Sequence, residues 1–307
     1  MKISKYVVFL TFFSVIFSCS DNEEEHYVKH FDYSTLEDSI PDSVRYHVNP
    51  SYPVRLDSLR ILAIGNSFTD DAMQYMNRMV NDAGIDNDLL AICSLTEGSS
   101  TFKTWLSKDF ESTVVQLRTD AGNAVMKTKG TIREILNQNW DLIVIQQSSD
   151  LSYKWESFSY LKNLEDKLLA CCPNKSVCLG FQLVWSHSKE EMPHVLEGNI
   201  ACCKKMIQRY GADVVIPTGV AIQNARNTSL NDSKYLTRDD WHLNKGIARY
   251  IATATWFERL IRPVFDVSVI DNACMPEGVY SEVDVMIARQ CAIKAVANPF
   301  VFEYRDK

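Results

Sequence analysis

From Leu59 onward the chain alternates two patterns: short apolar runs that stop on a polar turn, and longer stretches with apolar residues every three or four positions. The runs are Leu59 to Ile64, Leu89 to Cys93, Leu142 to Ile145, Val177 to Trp185 and Val214 to Ile216. Their scarcity of polar residues suits strands buried on both faces, as a parallel sheet covered by helices requires. Helical spacing marks Ala72 to Ala83, Thr131 to Leu136, Phe158 to Ala170, Glu190 to Tyr210, Asn244 to Leu260 and Val283 to Ala297. Pro193 falls in the first turn of its helix, where no backbone donor is lost. Met73, Met76 and Val80 share one face and read as core. Strand then helix, repeated, predicts a doubly wound α/β sheet whose strand ends converge on one edge, the edge where such sheets bind ligands. Ser67, Glu97-Gly98, Gln146-Gln147, Trp185 with His187, and Thr218-Gly219 all follow these strands, and Asp239 and His242 precede the Asn244 helix.

The segment before Leu59 is of another kind. Lys2 and Lys5 lead into an apolar stretch from Tyr6 to Phe17 that ends at Ser18-Cys19, a pattern too short for a membrane-spanning helix and suited to a secretory signal. Ile16-Phe17-Ser18-Cys19 is similar to a bacterial lipoprotein cleavage site, which would make Cys19 the lipidated N-terminus and its lipid an anchor in the outer membrane. The acidic Ser20-Asp21-Asn22-Glu23-Glu24-Glu25 follows, resembling the signal that sends some lipoproteins to the cell surface. Residues 20–58 are largely polar, with Pro41, Pro50 and Pro53 and no sustained period, so they read as tether and lead-in. Residues 59–307 then form one domain, a length that supports a sizeable core.

A net charge of −7 without a stripe of Lys and Arg argues against nucleic acid as a partner and favours an uncharged substrate. With Cys19 consumed by lipid, eight of the nine cysteines remain. Cys171-Cys172 and Cys202-Cys203 are adjacent pairs and no C-x-x-C occurs, so the spacing is not that of a zinc site, and no cofactor motif appears. Buried thiols are the default for these cysteines, with one or two disulfides open.

Chemistry gathers in two stretches. In the first, Arg60 to Ile64 ends at Gly65-Asn66-Ser67-Phe68-Thr69, placing Ser67 at the carboxyl end of a strand; the plainer role for such a serine is to cap the next helix. Asp70 and Asp71 follow, where the first turn of a helix favours negative charge. The second stretch is Thr237-Arg238-Asp239-Asp240-Trp241-His242-Leu243-Asn244. A serine hydroxyl is nearly inert at neutral pH and needs a base, and the base needs a carboxylate to fix its tautomer. Asp239 and His242, three apart, share one side of a turn, so Asp239 can hold one ring nitrogen while the other faces Ser67. His187 sits at a strand end without a carboxylate at a useful local spacing, and His194 lies inside a helical pattern facing solvent or core.

Gly65-Asn66-Ser67-Phe68-Thr69, Gly98 after the second strand, the polar end of Leu142 to Ser149, and Asp239-x-x-His242 resemble the four ordered blocks of the SGNH or GDSL hydrolases. More closely, the chain looks like a bacterial lipoprotein branch of that superfamily, from about Leu59 to Leu260. The resemblance implies a three-layer α/β/α sandwich with a flavodoxin-like parallel sheet, and a metal-free esterase or deacylase. By motif position Ser67 is the nucleophile, His242 the base, Asp239 its orienter, and the N–H groups of Ser67 and Gly98 two oxyanion donors. The third block departs from the family's Gly-x-Asn and reads Gln147-Ser148-Ser149-Asp150. Gln147 then replaces the missing amide donor, with Gln146 as second choice, and Asp150 would repel an oxyanion. The expected substrate is acylated carbohydrate, with Trp105 and Trp155 available as stacking faces, although tryptophans of this kind are more often core. A lipid acylhydrolase or thioesterase, or a glycan-binding lipoprotein without useful catalysis, are the alternatives.

Overall fold

The computed structural model describes residues 58–120, 124–187 and 192–303; the signal segment, Cys19 and nearly all of the tether lie outside them. Among the described residues seven strands form one sheet: β1 (Leu59–Gly65), β2 (Leu90–Thr96), β3 (Val114–Thr119), β4 (Met126–Thr131), β5 (Leu142–Ile145), β6 (Cys178–Gln182) and β7 (Val214–Ile216). Their order is β4-β3-β2-β1-β5-β6-β7. The five strands read from the apolar runs are parallel. Counted alone they follow the flavodoxin-like 2-1-3-4-5 order, whose chain direction reverses at the first strand. The switch point therefore lies between β1 and β5. Gly65 pairs with Thr96 and Ile64 with Ile145, so the three strands end level there.

An antiparallel pair, β3 and β4, extends the sheet beyond β2 and makes it mixed. Its sequence gives little apolar signal: β4 reads MKTKGT, and Val114 and Met126 are well exposed. Lys127 and Lys129 on the outermost strand are the kind of residue that keeps an open edge from pairing with another chain.

The chain leaves β1 in opposite directions along the sheet, and since crossovers between parallel strands are right-handed as a rule, this puts helices on both faces. One packed group joins Ser67–Met73, Thr218–Arg226, Ile247–Trp256 and Glu282–Ala297; the other includes Phe102–Ser107 and Leu161–Cys171. The stretch expected as one helix from Ala72 to Ala83 is two, Ser67–Met73 and Met76–Asp82. The Thr253 hydroxyl enters the break, donating to the Ala72 carbonyl (2.7 Å) and accepting from the Tyr75 N–H (3.3 Å). The helix expected from Asn244 begins at Ile247 and runs into a wider π turn at Phe257–Ile261. Met73, Met76 and Val80 are fully buried. All eight described cysteines are free thiols and seven are buried. Burial pushes Cys172, Cys274 and Cys291 up to about 11, keeping them protonated.

Candidate active site

Ser67 is the first residue of its helix, and the cap is its neighbour. Asn66 accepts the Phe68 N–H on its side-chain oxygen at 3.0 Å, so the Ser67 hydroxyl is not spent on capping. That oxygen also accepts from Gln146 Nε2 (2.6 Å), and Asn66 Nδ2 donates to the Ser100 carbonyl (3.1 Å). The Gln146 oxygen in turn accepts from the Thr69 hydroxyl at 2.8 Å. This network crosses directly over Gly65: a Cβ there would lie 2.3 Å from Thr69 Oγ1 and 2.7 Å from Gln146 Cγ, so no other residue fits without displacing it. The turn before Ser67 is thus fixed on every side by buried amides.

The Ser67 hydroxyl meets His242 Nε2 at 2.8 Å, across 175 residues of sequence. On the other side of the ring, His242 Nδ1 lies 2.8 Å from Asp239 Oδ2 and 3.0 Å from Oδ1. Asp239 Oδ1 also accepts the backbone N–H groups of His242 (2.8 Å) and Trp241 (3.2 Å). Burial pushes the Asp239 carboxyl upward, but the hydrogen bonds from His242 and Trp241 and the nearby imidazole outweigh it, so Asp239 titrates below the ordinary carboxylate range.

These two residues sit in a closed loop rather than a helical turn. Thr237 bridges Leu243, Arg238 N–H donates to the His242 carbonyl (2.8 Å), and Asp240 takes the left-handed φ of 64° that an Asp tolerates. A buried carboxylate secures the loop to the serine helix. Asp71 accepts from Arg238 Nη1 (3.1 Å), Arg249 Nε (2.8 Å) and the Leu243 N–H (2.9 Å), and Arg238 also donates to the Leu243 carbonyl. The aromatic ring of Phe68 lies 5.9 Å from the His242 ring and stacks on Trp185 at 4.2 Å; Trp185 Nε1 donates to the Trp241 carbonyl at 2.9 Å. His187 stacks on Trp241 at 4.0 Å and His194 meets the edge of Tyr153, so neither rival histidine is paired with Ser67.

The expectation for Gln147 is overturned. Its oxygen accepts from the N–H groups of Phe102 (3.2 Å) and Ser148 (2.9 Å), and its nitrogen donates to the Ser157 hydroxyl (3.0 Å) and carbonyl (3.2 Å). Buried and fully engaged, it ties β5 to the Phe102 helix and has no donor left for an oxyanion. Gln146, the second choice, is spent on Asn66. Gly98 is exposed, and a Cβ there would meet nothing, so it is not held to glycine by space. Its neighbour Ser99, at a left-handed φ of 57°, lines the cleft. Trp105 is core, bonded to the Ser100 hydroxyl (3.0 Å), and Trp155 is stacked on Phe158. Neither offers a free ring face at the site.

The cleft over Ser67 has a volume of about 370 Å³ and is lined by Asn66, Phe68, Ser99, Ser148, Ser149, Asp150, Trp241 and His242 besides Ser67 itself. The sequence marks Asp71 only as a first-turn carboxylate and gives Asn66 and Trp241 no role of their own at the site. An Asn directly before the helix and a large aromatic between Asp239 and His242 were visible signals; the pairing of Asp71 with two arginines about 170 positions away was not.

The sequence from residue 60 to residue 295 matches the family described as Domain of unknown function (DUF4886). The chain belongs to the DUF4886 family. A crystal structure of a DUF4886 family protein from Bacteroides uniformis ATCC 8492 is similar to it, with a TM-score of 0.70 and 26% identity over 80% of this chain and 98% of that one. The lipase Lip_vut3 from a goat rumen metagenome aligns with this DUF4886 chain at a TM-score of 0.38 and 13% identity, over 61% of this chain and 90% of its own. No curated protein matches it.

Proposed function

We propose that this DUF4886 protein is a serine esterase of the SGNH kind, which removes acetyl or other short acyl groups from carbohydrate while held at the outer membrane by lipid on Cys19. The observation that carries this reading is the continuous relay Asp239–His242–Ser67, with its two ring-nitrogen contacts both at 2.8 Å. Ser67 Oγ attacks the ester carbonyl as His242 Nε2 takes its proton. The tetrahedral intermediate collapses, the C–O bond to the alcohol breaks, and His242 returns the proton to the departing oxygen. Water, deprotonated by His242, then cleaves the acyl–Ser67 bond and releases the acid. Asp239 holds Nδ1–H throughout and stabilises the imidazolium. The N–H of Ser67, at the start of its helix, and that of Gly98 serve as oxyanion donors, each worth roughly 3–4 kcal/mol in the transition state. No residue role in this sequence of steps calls for a metal or cofactor.

The small cleft and its seven polar lining residues favour a short acyl group over a long chain. The test is hydrolysis of p-nitrophenyl acetate, butyrate and octanoate by the chain from Ser20 onward and by its Ser67→Ala variant. Acetate turnover that falls at least about 10³-fold in the variant supports the reading. A clear preference for octanoate replaces it with a lipid acylhydrolase. Equal rates for wild type and variant leave a glycan-binding protein.

A further inference from the structure

We infer that Trp241 and Asp150 form the sugar subsite of this cleft, built to hold a neutral or amino-bearing sugar ring beside Ser67 and to turn away acidic sugars. The inference deepens the esterase reading and rests on it.

Trp241 is a large aromatic residue left 41% exposed, while the other large aromatics near the site, Phe68 and Trp185, are buried. Its position is fixed from three directions. Its N–H donates to Asp239 Oδ1 (3.2 Å), its carbonyl accepts from Trp185 Nε1 (2.9 Å), and its ring stacks on His187 at 4.0 Å with 23° between the planes. His187 covers one face of the indole, and Trp241 lines the cleft that contains Ser67 and His242. A preset aromatic surface binds at low cost in side-chain freedom, and the C–H face of a sugar ring is the flat, weakly apolar partner that suits it.

Asp150 supplies the complementary polar contact. It is exposed and lines the same cleft, and one of its oxygens already accepts from the Ser148 hydroxyl. A carboxylate has acceptor sites beyond that one bond. This charge works against a developing oxyanion and in favour of a leaving group rich in hydroxyls or bearing an ammonium, so the alcohol side of the ester gives it a use. Hydroxyls of Ser148 and Ser149 border the same space. A uronate or sulfated ring would instead bring a like charge against Asp150 in a protein of net charge −7.

The experiment uses the Ser67→Ala chain, which cannot turn substrate over by the proposed route. It is titrated with acetylated xylo-oligosaccharide and with acetylated oligogalacturonate, following indole fluorescence and calorimetric heat. Neutral ester binds more tightly than acidic ester if the subsite is real. Adding Trp241→Ala weakens the neutral ligand at least about 10-fold and Trp241→Phe recovers most of the loss. Asp150→Asn weakens it by roughly 10-fold and narrows the gap to the acidic ligand. Circular dichroism verifies that each variant is folded; if Trp241→Ala is not, Trp241→Leu, which keeps bulk but removes the aromatic face, takes its place with the same expected loss and the same overturning result. Equal binding of the two sugars, or a change under twofold in folded Trp241→Ala, overturns the subsite. Wild-type hydrolysis of p-nitrophenyl acetate is measured in parallel. Ester turnover without sugar binding overturns the subsite alone, and Trp241-dependent sugar binding without any ester turnover overturns the esterase reading alone.

Discussion

The two loops that meet at Ser67 are built differently. The Gly65–Ser67 turn is buried at the switch point of the sheet and locked by side-chain amides that bond to one another: Asn66, Gln146 and, through Thr69, the start of the helix. The loop carrying Asp239 and His242 stands at the rim with Asp239, Asp240 and Trp241 exposed, and its charged hold on the fold is Asp71, a carboxylate 1% exposed on the serine helix. A turn inside the fold is held by many neutral hydrogen bonds, whereas the loop at the rim combines one charged anchor with the Trp185–Trp241 hydrogen bond and the Trp241–His187 stack. The Ser67 hydroxyl is therefore set by the core, and His242 by a loop whose charged anchor a single substitution removes.

Four changes test this contrast. The largest effect is expected from Asp239→Asn, which keeps the shape but favours the wrong ring tautomer; turnover of p-nitrophenyl acetate falls about 10³–10⁴-fold with little change in Tm. Asp71→Ala comes next, leaving Arg238 and Arg249 without their buried partner. It costs about 3 kcal/mol in denaturant unfolding and lowers kcat through loss of the His242 position, while the Ser67 turn keeps its amide hydrogen-exchange protection. Gln146→Ala strikes the other loop and removes one member of a shared network. A loss of about 1–2 kcal/mol is expected, with a smaller fall in kcat than for Asp71→Ala; the reverse order would mean that the core turn, not the rim loop, is the fragile one. The smallest effect is in the pH response. Because the folded Asp239 carboxyl titrates below its unfolded range, its contribution to stability is present above the unfolded value near ~3.9 and is lost only as pH falls through the lower folded value. Carboxyl NMR of the Asp239 side chain would register a midpoint below that of a model Asp; a midpoint above it would contradict the assigned hydrogen bonds.

What could be read from residues alone follows the same division. Apolar runs gave the five parallel strands because each is buried on both faces, and the Gly65–Ser67 turn and the Asp239–His242 spacing are local features that a sequence displays directly. The β3–β4 hairpin escaped because an exposed edge is under no demand for apolar periodicity: Lys127, Thr128 and Lys129 look like a loop. Gln147 was misplaced because spacing tells which residue follows a strand but not which way its amide turns, and here the Phe102 and Ser157 backbones claim it. Asp71 looked like an ordinary acidic residue in a helix's first turn, since its two arginines arrive from the far end of the chain. Local chemistry was legible, and the contacts that bring distant segments into register were not.

The separation of Ser67 from His242 by 175 residues has a consequence during synthesis. At roughly 5–20 residues per second, about 9–35 s pass between the emergence of the serine and of the histidine from the ribosome. Throughout that interval the growing chain carries a serine without its base, and after it the loop must still find Asp71. Under the esterase reading proposed above, ester cleavage requires both ends of this span to be in place, so a chain broken off anywhere before Asp239 would be born inert.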